Sequence, residues 1–238
     1  MSRVAKMLGS AALVAFAVNT STALAADADA TLEVNSDYVF RGVDVSKDVA
    51  VHPTIAVSHE GFTFTTWAWW DTDSKTKTDM NEVDLSLEYA LPIEEANVSV
   101  GWIEYLYPEG GTSDREISVS VSGNDIPLNP VLSAYFGLEG AVDGDIYVNL
   151  EVSHEVPVGD ASLTVTAAAG WFDDDKAVAP LDSGLADGRV NATLSMEIAE
   201  GTSISAQIEY NTNLDDDVIP DVAARDGVWG GVSISRVL

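Results

Sequence analysis

The chain has 238 residues, of which 39 are Asp or Glu and 11 are Lys or Arg, so its formal net charge is −28. Phosphate backbones would repel so acidic a chain, which excludes nucleic-acid binding as its function. It has no cysteine, so disulfides and thiolate metal sites are also excluded.

The first 25 residues predict a signal peptide that is cleaved on export. Arg3 and Lys6 precede an apolar stretch from Met7 to Val18, and Ala23-Leu24-Ala25 offers small residues at a cleavage site. The apolar stretch is shorter than the roughly 20 residues of a spanning helix, which argues against an uncleaved anchor. We therefore expect one mature domain, residues 26–238, in the cell envelope.

The rest of the chain predicts β-strands. No second apolar run of spanning length follows, so the mature chain could cross a membrane only as a closed barrel. Twelve stretches of about 9–11 residues alternate apolar with polar side chains, a length that suits a tilted crossing of the hydrocarbon layer. They are Thr31–Arg41, Ala50–Ser58, Phe62–Trp70, Asn81–Ala90, Asn97–Tyr105, Arg115–Ser122, Val131–Glu139, Asp145–His154, Ala161–Trp171, Arg189–Ile198, Ser203–Tyr210 and Val228–Leu238.

The connections between these stretches alternate between short and long. Short ones surround Gly61, Gly159 and Gly201, whereas Phe172–Gly188 and Asn211–Gly227 are the longest. Outer-membrane barrels have tight periplasmic turns and longer outer loops. The sequence therefore predicts an all-β fold: a twelve-stranded antiparallel up-and-down transmembrane barrel with five short turns and six loops. A soluble periplasmic β-sandwich that binds a ligand shares the alternation and is the alternative fold.

Aromatic residues fall at the predicted strand ends, as the two interfacial girdles of a barrel require. Those at loop-side ends are Trp70, Trp171, Tyr210 and Trp229, and those at turn-side ends are Phe62 and Tyr89.

Two segments resemble a known family. The stretch Asn35-Ser36-Asp37-Tyr38-Val39-Phe40-Arg41-Gly42, followed by Ser46 and Pro53, is similar to the opening of the Gcw_chp family, also called the TorF porin family. Trp229-Gly230-Gly231-Val232-Ser233-Ile234-Ser235 resembles its closing strand. The resemblance implies an outer-membrane barrel of about twelve strands with a transport role and no reaction. The chain departs from the pattern at Trp67-Ala68-Trp69-Trp70 and at its final Leu238.

If the apolar faces meet lipid, the opposite faces direct charged side chains into the lumen. The predicted pore-lining set is Glu33, Asp37, Arg41, Glu82, Asp84, Glu88, Glu116, Glu151, Arg189 and Glu209. Carboxylates concentrate cations and repel anions, so we expect passive passage of small solutes with a preference for cations. Alternatively, Arg41 and Arg189 bridge several carboxylates and close the barrel, which would make it a structural or adhesive protein. The acidity could also reflect a saline habitat.

Two further patterns predict weaker sites. Trp67 and Trp69 would point inward, where an indole could stack on a planar solute. Six clustered carboxylates in the longest loops could hold Ca²⁺ or Mg²⁺ loosely, although acidic runs are usually only solvated; they are Asp173, Asp174, Asp175, Asp215, Asp216 and Asp217. No other cofactor is expected.

The sequence does not predict an enzyme. A lipid-hydrolysing barrel would need a serine, a histidine and an orienting residue held together, and no serine motif accompanies His52, His59 or His154. We expect the protein in the outer membrane of a Gram-negative bacterium. Its partners would be outer-membrane lipid and lipopolysaccharide, the barrel-insertion machinery, small solutes and, if barrels associate, further copies of the chain.

Overall fold

The computed structural model describes residues 26–72, 80–108, 110–123, 126–173 and 183–238. The predicted signal peptide lies outside these ranges. The strands are β1 (Asp27–Asn35), β2 (Tyr38–Phe40), β3 (Val43–Ser46), β4 (Ala50–His59), β5 (Phe62–Asp71), β6 (Met80–Leu91), β7 (Ala96–Leu106), β8 (Asp114–Gly123), β9 (Val131–Glu139), β10 (Ile146–Val158), β11 (Ala161–Asp173), β12 (Gly184–Ala199), β13 (Thr202–Asn213) and β14 (Gly227–Val237). A 3₁₀ turn, Gly140–Val142, follows β9.

Within the described ranges, β1 and β4 to β14 form one closed antiparallel barrel of twelve strands. Strands that follow each other along the chain pair with each other, and β1 closes the sheet by pairing with both β4 and β14. The predicted fold class is confirmed. The β-sandwich alternative is wrong, because the twelve strands form a single sheet that closes on itself.

The alternation of side chains sorts into an apolar outside and a polar inside. On β6, Leu87 points outward and is 48% exposed, whereas Glu82 and Asp84 point inward and are 2% and 5% exposed. On β12, outward Val190 is 51% exposed and inward Asp187 is fully buried. A barrel whose apolar side chains lie outside and whose carboxylates lie inside is inverted relative to a soluble protein, and this arrangement suits lipid.

The short connections lie at one end of the barrel, together with the start of β1 and the end of β14. Glu60 and Gly61 join β4 to β5 with φ values of 49° and 83°, the backbone of a two-residue turn that matches the twist of the paired strands. We call this end the turn side and the opposite end the loop side. Within the described ranges, no helix is long and apolar enough to cross a membrane.

The first predicted strand is wrong in its second half. The stretch Thr31–Arg41 was expected to form one wall strand, but β1 begins at Asp27 and ends at Asn35. The chain then turns and forms the separate hairpin β2–β3, which does not pair with the barrel wall. Several other strands are longer than predicted; β12, for example, has 16 residues.

The predicted aromatic girdles are correct in part. Trp70 and Tyr210 point outward at the loop side and are 46% and 48% exposed, and Phe62 contacts Tyr89 at the turn side with ring centroids 4.5 Å apart. Trp229 is an exception, because it lies opposite inward Glu209 and its indole N–H donates to buried Asn211 at 2.7 Å.

Candidate functional site

The lumen is the polar interior of the barrel, and its two halves differ. In the turn-side half, hydroxyl groups pair across neighbouring strands: Ser120 with Ser133 at 2.8 Å and Ser195 with Ser205 at 2.9 Å. Such small side chains take up little of the barrel's width. These side chains therefore fill less of the barrel's width than aromatic ones would.

The loop-side half is filled by the hairpin β2–β3. Its side chains Tyr38, Phe40 and Val43 are 6%, 7% and 2% exposed, so the hairpin lies inside the barrel rather than over its mouth. Arg41 and Gly42 form its two-residue tip, with φ values of 46° and 78°. A side chain on Gly42 would have no room, because its Cβ would come 2.5 Å from the Cβ of Asp187. We call residues 38–46 the plug.

Arg41 binds the barrel wall on the far side of the lumen. Its guanidinium donates two parallel hydrogen bonds to the carboxylate of Glu116, each 2.8 Å long, and both side chains are buried. The Tyr105 hydroxyl donates to the same carboxylate at 2.7 Å. The rings of Tyr135 and Tyr147 lie 4.5 Å and 4.6 Å from the guanidinium carbon, within cation–π distance. We call these four wall residues the arginine seat.

The position of the arginine seat shows that the plug crosses the whole lumen. The plug emerges between β1 and β4, which are neighbours in the barrel, whereas the seat is formed by β7, β8, β9 and β10. In the barrel order, β9 lies half-way round from β1. The plug therefore obstructs a path through the loop-side half.

Aromatic rings surround the base of the plug. The ring centroid of Tyr38 lies 4.9 Å from that of Trp69, 5.7 Å from that of Trp67 and 5.3 Å from that of His52. The Tyr38 hydroxyl donates to Glu82 at 3.4 Å. Trp67 and Trp69 thus point inward, as the predicted solute-stacking role requires. The rings that contact them are the protein's own.

The connection between β13 and β14, residues 214–226, holds the plug from the loop side. The backbone N–H of Arg225 donates to the Gly42 carbonyl at 2.7 Å, and the N–H of Asp44 donates to the Ala223 carbonyl at 2.9 Å. The Arg225 guanidinium lies 2.9 Å from Asp37 and 3.4 Å from Asp44. We call this set of contacts the outer clamp.

The structure separates the predicted pore-lining residues into two groups. Eight of them lie inward on wall strands: Glu33, Glu82, Asp84, Glu88, Glu116, Glu151, Arg189 and Glu209. Arg189 contacts Asn149, Glu151 and Asp187 at 3.1, 3.4 and 3.5 Å. The other two predicted residues do not lie on wall strands. Arg41 is at the tip of the plug, inside the lumen, and Asp37 is in the outer clamp.

Sequence reasoning missed the aromatic part of the seat. Tyr105, Tyr135 and Tyr147 were absent from the candidate residues because the search was for charged side chains. A usable signal existed, since each tyrosine occupies the inward, polar phase of its strand. A large aromatic side chain in that phase has to pack against something inside the lumen.

The loop carboxylates make contacts within their own loops. Asp173 accepts a hydrogen bond from Ser183, and Asp174 and Asp175 lie outside the described residues. Asp215 accepts from the backbone N–H of Asp217, and the nearby Asp221 carboxylate raises the pKa of Asp216. Among the described residues, no three His, Asp or Glu are arranged to hold a metal ion. Divalent-cation binding in these loops stays a prediction.

The chain matches one known protein family over most of its length. Residues 20–220 match the Gcw_chp family, which is described as bacterial protein of unknown function. The chain belongs to the Gcw_chp family. The predicted family is thereby confirmed, and the match includes the opening segment, whereas the closing segment lies beyond residue 220. The family description itself assigns no activity to a Gcw_chp chain.

Solved structures resemble this Gcw_chp barrel in fold. The NanC porin matches with a TM-score of 0.56 and 11% identity, covering 89% of this chain and 99% of its own. An outer membrane channel from Pseudomonas putida F1 matches with a TM-score of 0.52 and 10% identity, covering 93% and 100%. Outer membrane phospholipase A from Escherichia coli also matches, with a TM-score of 0.47 and 11% identity over 88% and 92%. At such identities the likeness concerns the fold. No curated protein matches the chain.

Proposed function

We propose that the protein is an outer-membrane channel through which small solutes pass passively, with a preference for cations, and that the plug must leave the loop-side half for conduction. The observation that carries this proposal is the inverted barrel, whose exposed side chains are apolar and whose buried ones are charged. A structure with only a mechanical role would not need a wet, charged interior, because burying charges is costly.

The cation preference follows from the wall residues that face the lumen. Glu33, Glu88, Glu151 and Glu209 lie along the inner surface, where Arg189 is a countercharge for Glu151 at 3.4 Å. Deeper in the lumen, both carboxylate oxygens of Asp84 are buried without a hydrogen-bond partner. A cation that moves through the lumen would be stabilised by such groups, whereas an anion would be repelled.

The test is a planar-bilayer recording of the purified protein in a salt gradient. The wild-type barrel should be closed for most of the record, because the plug spans the lumen. A variant in which residues 38–46 are replaced by a Gly-Ser linker should conduct steadily. The sign of its reversal potential should show that cations are more permeant than anions. A matched variant that replaces the turn-side connection 92–95 by the same linker chemistry should stay closed.

The alternative is a closed structural or adhesive barrel, which the filled loop-side half favours. It predicts that the plug-replaced variant, inserted and folded, does not conduct. Folding and insertion are checked first by detergent extraction from the outer-membrane fraction and by a change of gel mobility on heating. Steady conduction by that variant would rule this alternative out.

We propose no catalytic activity. His52 is the histidine inside the barrel, and its ring packs on Tyr38 and stacks on Trp67 at 4.7 Å. An imidazole held between two aromatic rings is poorly placed to activate a serine. A lipase assay of the plug-replaced variant in detergent should show no turnover above that of detergent without protein.

A further inference from the structure

The arginine seat is built like a binding site that is already occupied. We propose that Glu116, Tyr105, Tyr135 and Tyr147 bind the guanidinium group of a solute, and that Arg41 occupies this site as a tethered substitute. The inference rests on the proposed channel function, because it assigns a solute class to the lumen of that channel.

The site belongs to the barrel wall rather than to the plug. All four residues lie inward on neighbouring strands, β7 to β10, and each is at most 6% exposed. Contacts with other wall residues also hold two of the tyrosines in place: the Tyr105 hydroxyl donates to Glu116, and the Tyr147 hydroxyl donates to Asp187 of β12 at 2.8 Å. The wall would therefore keep this arrangement when the plug leaves.

The chemistry of the seat selects a guanidinium. Two parallel hydrogen bonds of 2.8 Å to one carboxylate need a planar fork of N–H donors, which an ammonium group does not have. The flat tyrosine faces at 4.5 and 4.6 Å attract a delocalised cation. A vacated seat would leave the Glu116 carboxylate buried without its countercharge, so an incoming cation would be strongly favoured.

Local backbone preference does not account for an arginine at the plug tip. Arg41 has a φ of 46°, in the left-handed region where glycine and asparagine are favoured and where other residues cost conformational free energy. The contacts with the seat offset this cost. Because the outer clamp also holds the plug, a free solute would reach the seat only after the plug has moved.

The solute should carry a guanidinium on a slender, unbranched methylene stem, since the Arg41 side chain enters the seat in that way. A carboxylate on the solute would be disfavoured, because Glu82 and Asp84 are also buried in this half of the lumen. Agmatine meets both conditions and is the probe. Putrescine has the same stem with an amine in place of the guanidinium and is the matched control ligand.

The experiment is calorimetric titration of the detergent-solubilised Arg41→Gly variant with agmatine. Glycine tolerates the φ of 46°, so the hairpin turn is kept while the seat is emptied. We expect saturable agmatine binding, with putrescine at least tenfold weaker. Adding Glu116→Gln should weaken agmatine binding at least tenfold, whereas adding Glu95→Gln, on an exposed turn outside the lumen, should not. Absence of agmatine binding, or equal binding after Glu116→Gln, would overturn the proposal.

The plug-replaced variant is the second test, in case Arg41→Gly does not fold. Its seat is also empty, so it should bind agmatine with the same dependence on Glu116, and a folded variant that binds none overturns the inference. Binding and conduction fail separately. Conduction without agmatine binding would refute the guanidinium-binding role of the seat but not the channel function. Binding without conduction would refute the channel function but not the binding site.

Discussion

The two halves of the lumen are built from different chemistry although the same wall strands form both. The turn-side half carries serine and threonine hydroxyls that pair across strands at about 2.8–2.9 Å. The loop-side half carries tyrosines, tryptophans and buried charged side chains that contact the plug. Small polar side chains leave space for water, whereas large aromatic ones need a packing partner. The comparison shows that in the loop-side half large side chains pack against the plug, whereas in the turn-side half small hydroxyl groups pair along the wall.

The largest effect on this comparison should come from Glu116→Gln. Removing one member of a buried ion pair costs about 3–5 kcal/mol, because the other charge stays buried without compensation. Arg41 should then leave the seat, and the loop-side half should open. The measurement is the open fraction in bilayer recordings, with Glu151→Gln as the control. An open fraction equal to that of the wild type would show that Arg41 does not hold the plug.

A smaller effect is expected from Gly42→Ala. Its φ is 78° and the new Cβ would come 2.5 Å from the Cβ of Asp187, so the plug tip has to shift. The matched control is Gly159→Ala, which has a φ of 64° but no atom within 4 Å of the added Cβ. Both variants carry the cost of about 1–2 kcal/mol for a left-handed alanine. Only Gly42→Ala should raise the open fraction, and equal behaviour of the two would contradict the close fit of the tip.

Arg225→Ala should loosen the outer clamp by about 1–2 kcal/mol, because two partly buried ion pairs with Asp37 and Asp44 are lost. Trypsin and similar proteases should then cut the plug faster in intact cells. The control is Arg115→Ala, an outward arginine that is paired with Glu104 and Glu139 away from the plug. If both variants are cut at the wild-type rate, the outer clamp does not hold the plug.

The smallest effect should come from a substitution in the turn-side half, and it concerns ion selectivity. Glu88→Gln in the plug-replaced variant removes one inward carboxylate, so the preference for cations should weaken slightly. The reversal potential of that variant should fall by less than half. Glu95→Gln, on an exposed turn outside the lumen, is the control and should change nothing. Unchanged reversal potentials for both would mean that the wall carboxylates at this depth do not select ions.

The sequence predicted the barrel wall well because its signals are local. Strand β6 alternates Glu82, Asp84, Ser86 and Glu88 with apolar residues, and that period of two is the direct consequence of the pleated backbone. Turn residues such as Gly61 mark the hairpins in the same local way. The family resemblance in the first and last strands agreed with this pattern. The strand count and the alternation of turns and loops followed.

The plug could not be predicted in the same way. Tyr38, Phe40 and Arg41 continue the strand-like composition of β1, so a wall strand and a folded-in hairpin have almost the same local pattern. The pairing that distinguishes them joins Arg41 to Glu116, 75 residues further along the chain. Without closure of the barrel, nothing brings these two residues together. The predicted lumen charges were therefore identified as individual residues, while their partners were not.

The sequence by itself determined the β-strands and predicted a barrel with apolar residues outside and charged residues inside, because the period of its side chains and the lengths of its connections are local properties. Only the tertiary structure decided that the first loop crosses the lumen and that Arg41 ends in a seat of Glu116 and tyrosines. The physical reason is that alternation is a property of neighbouring residues, whereas a buried charge finds its countercharge through the shape of the whole barrel.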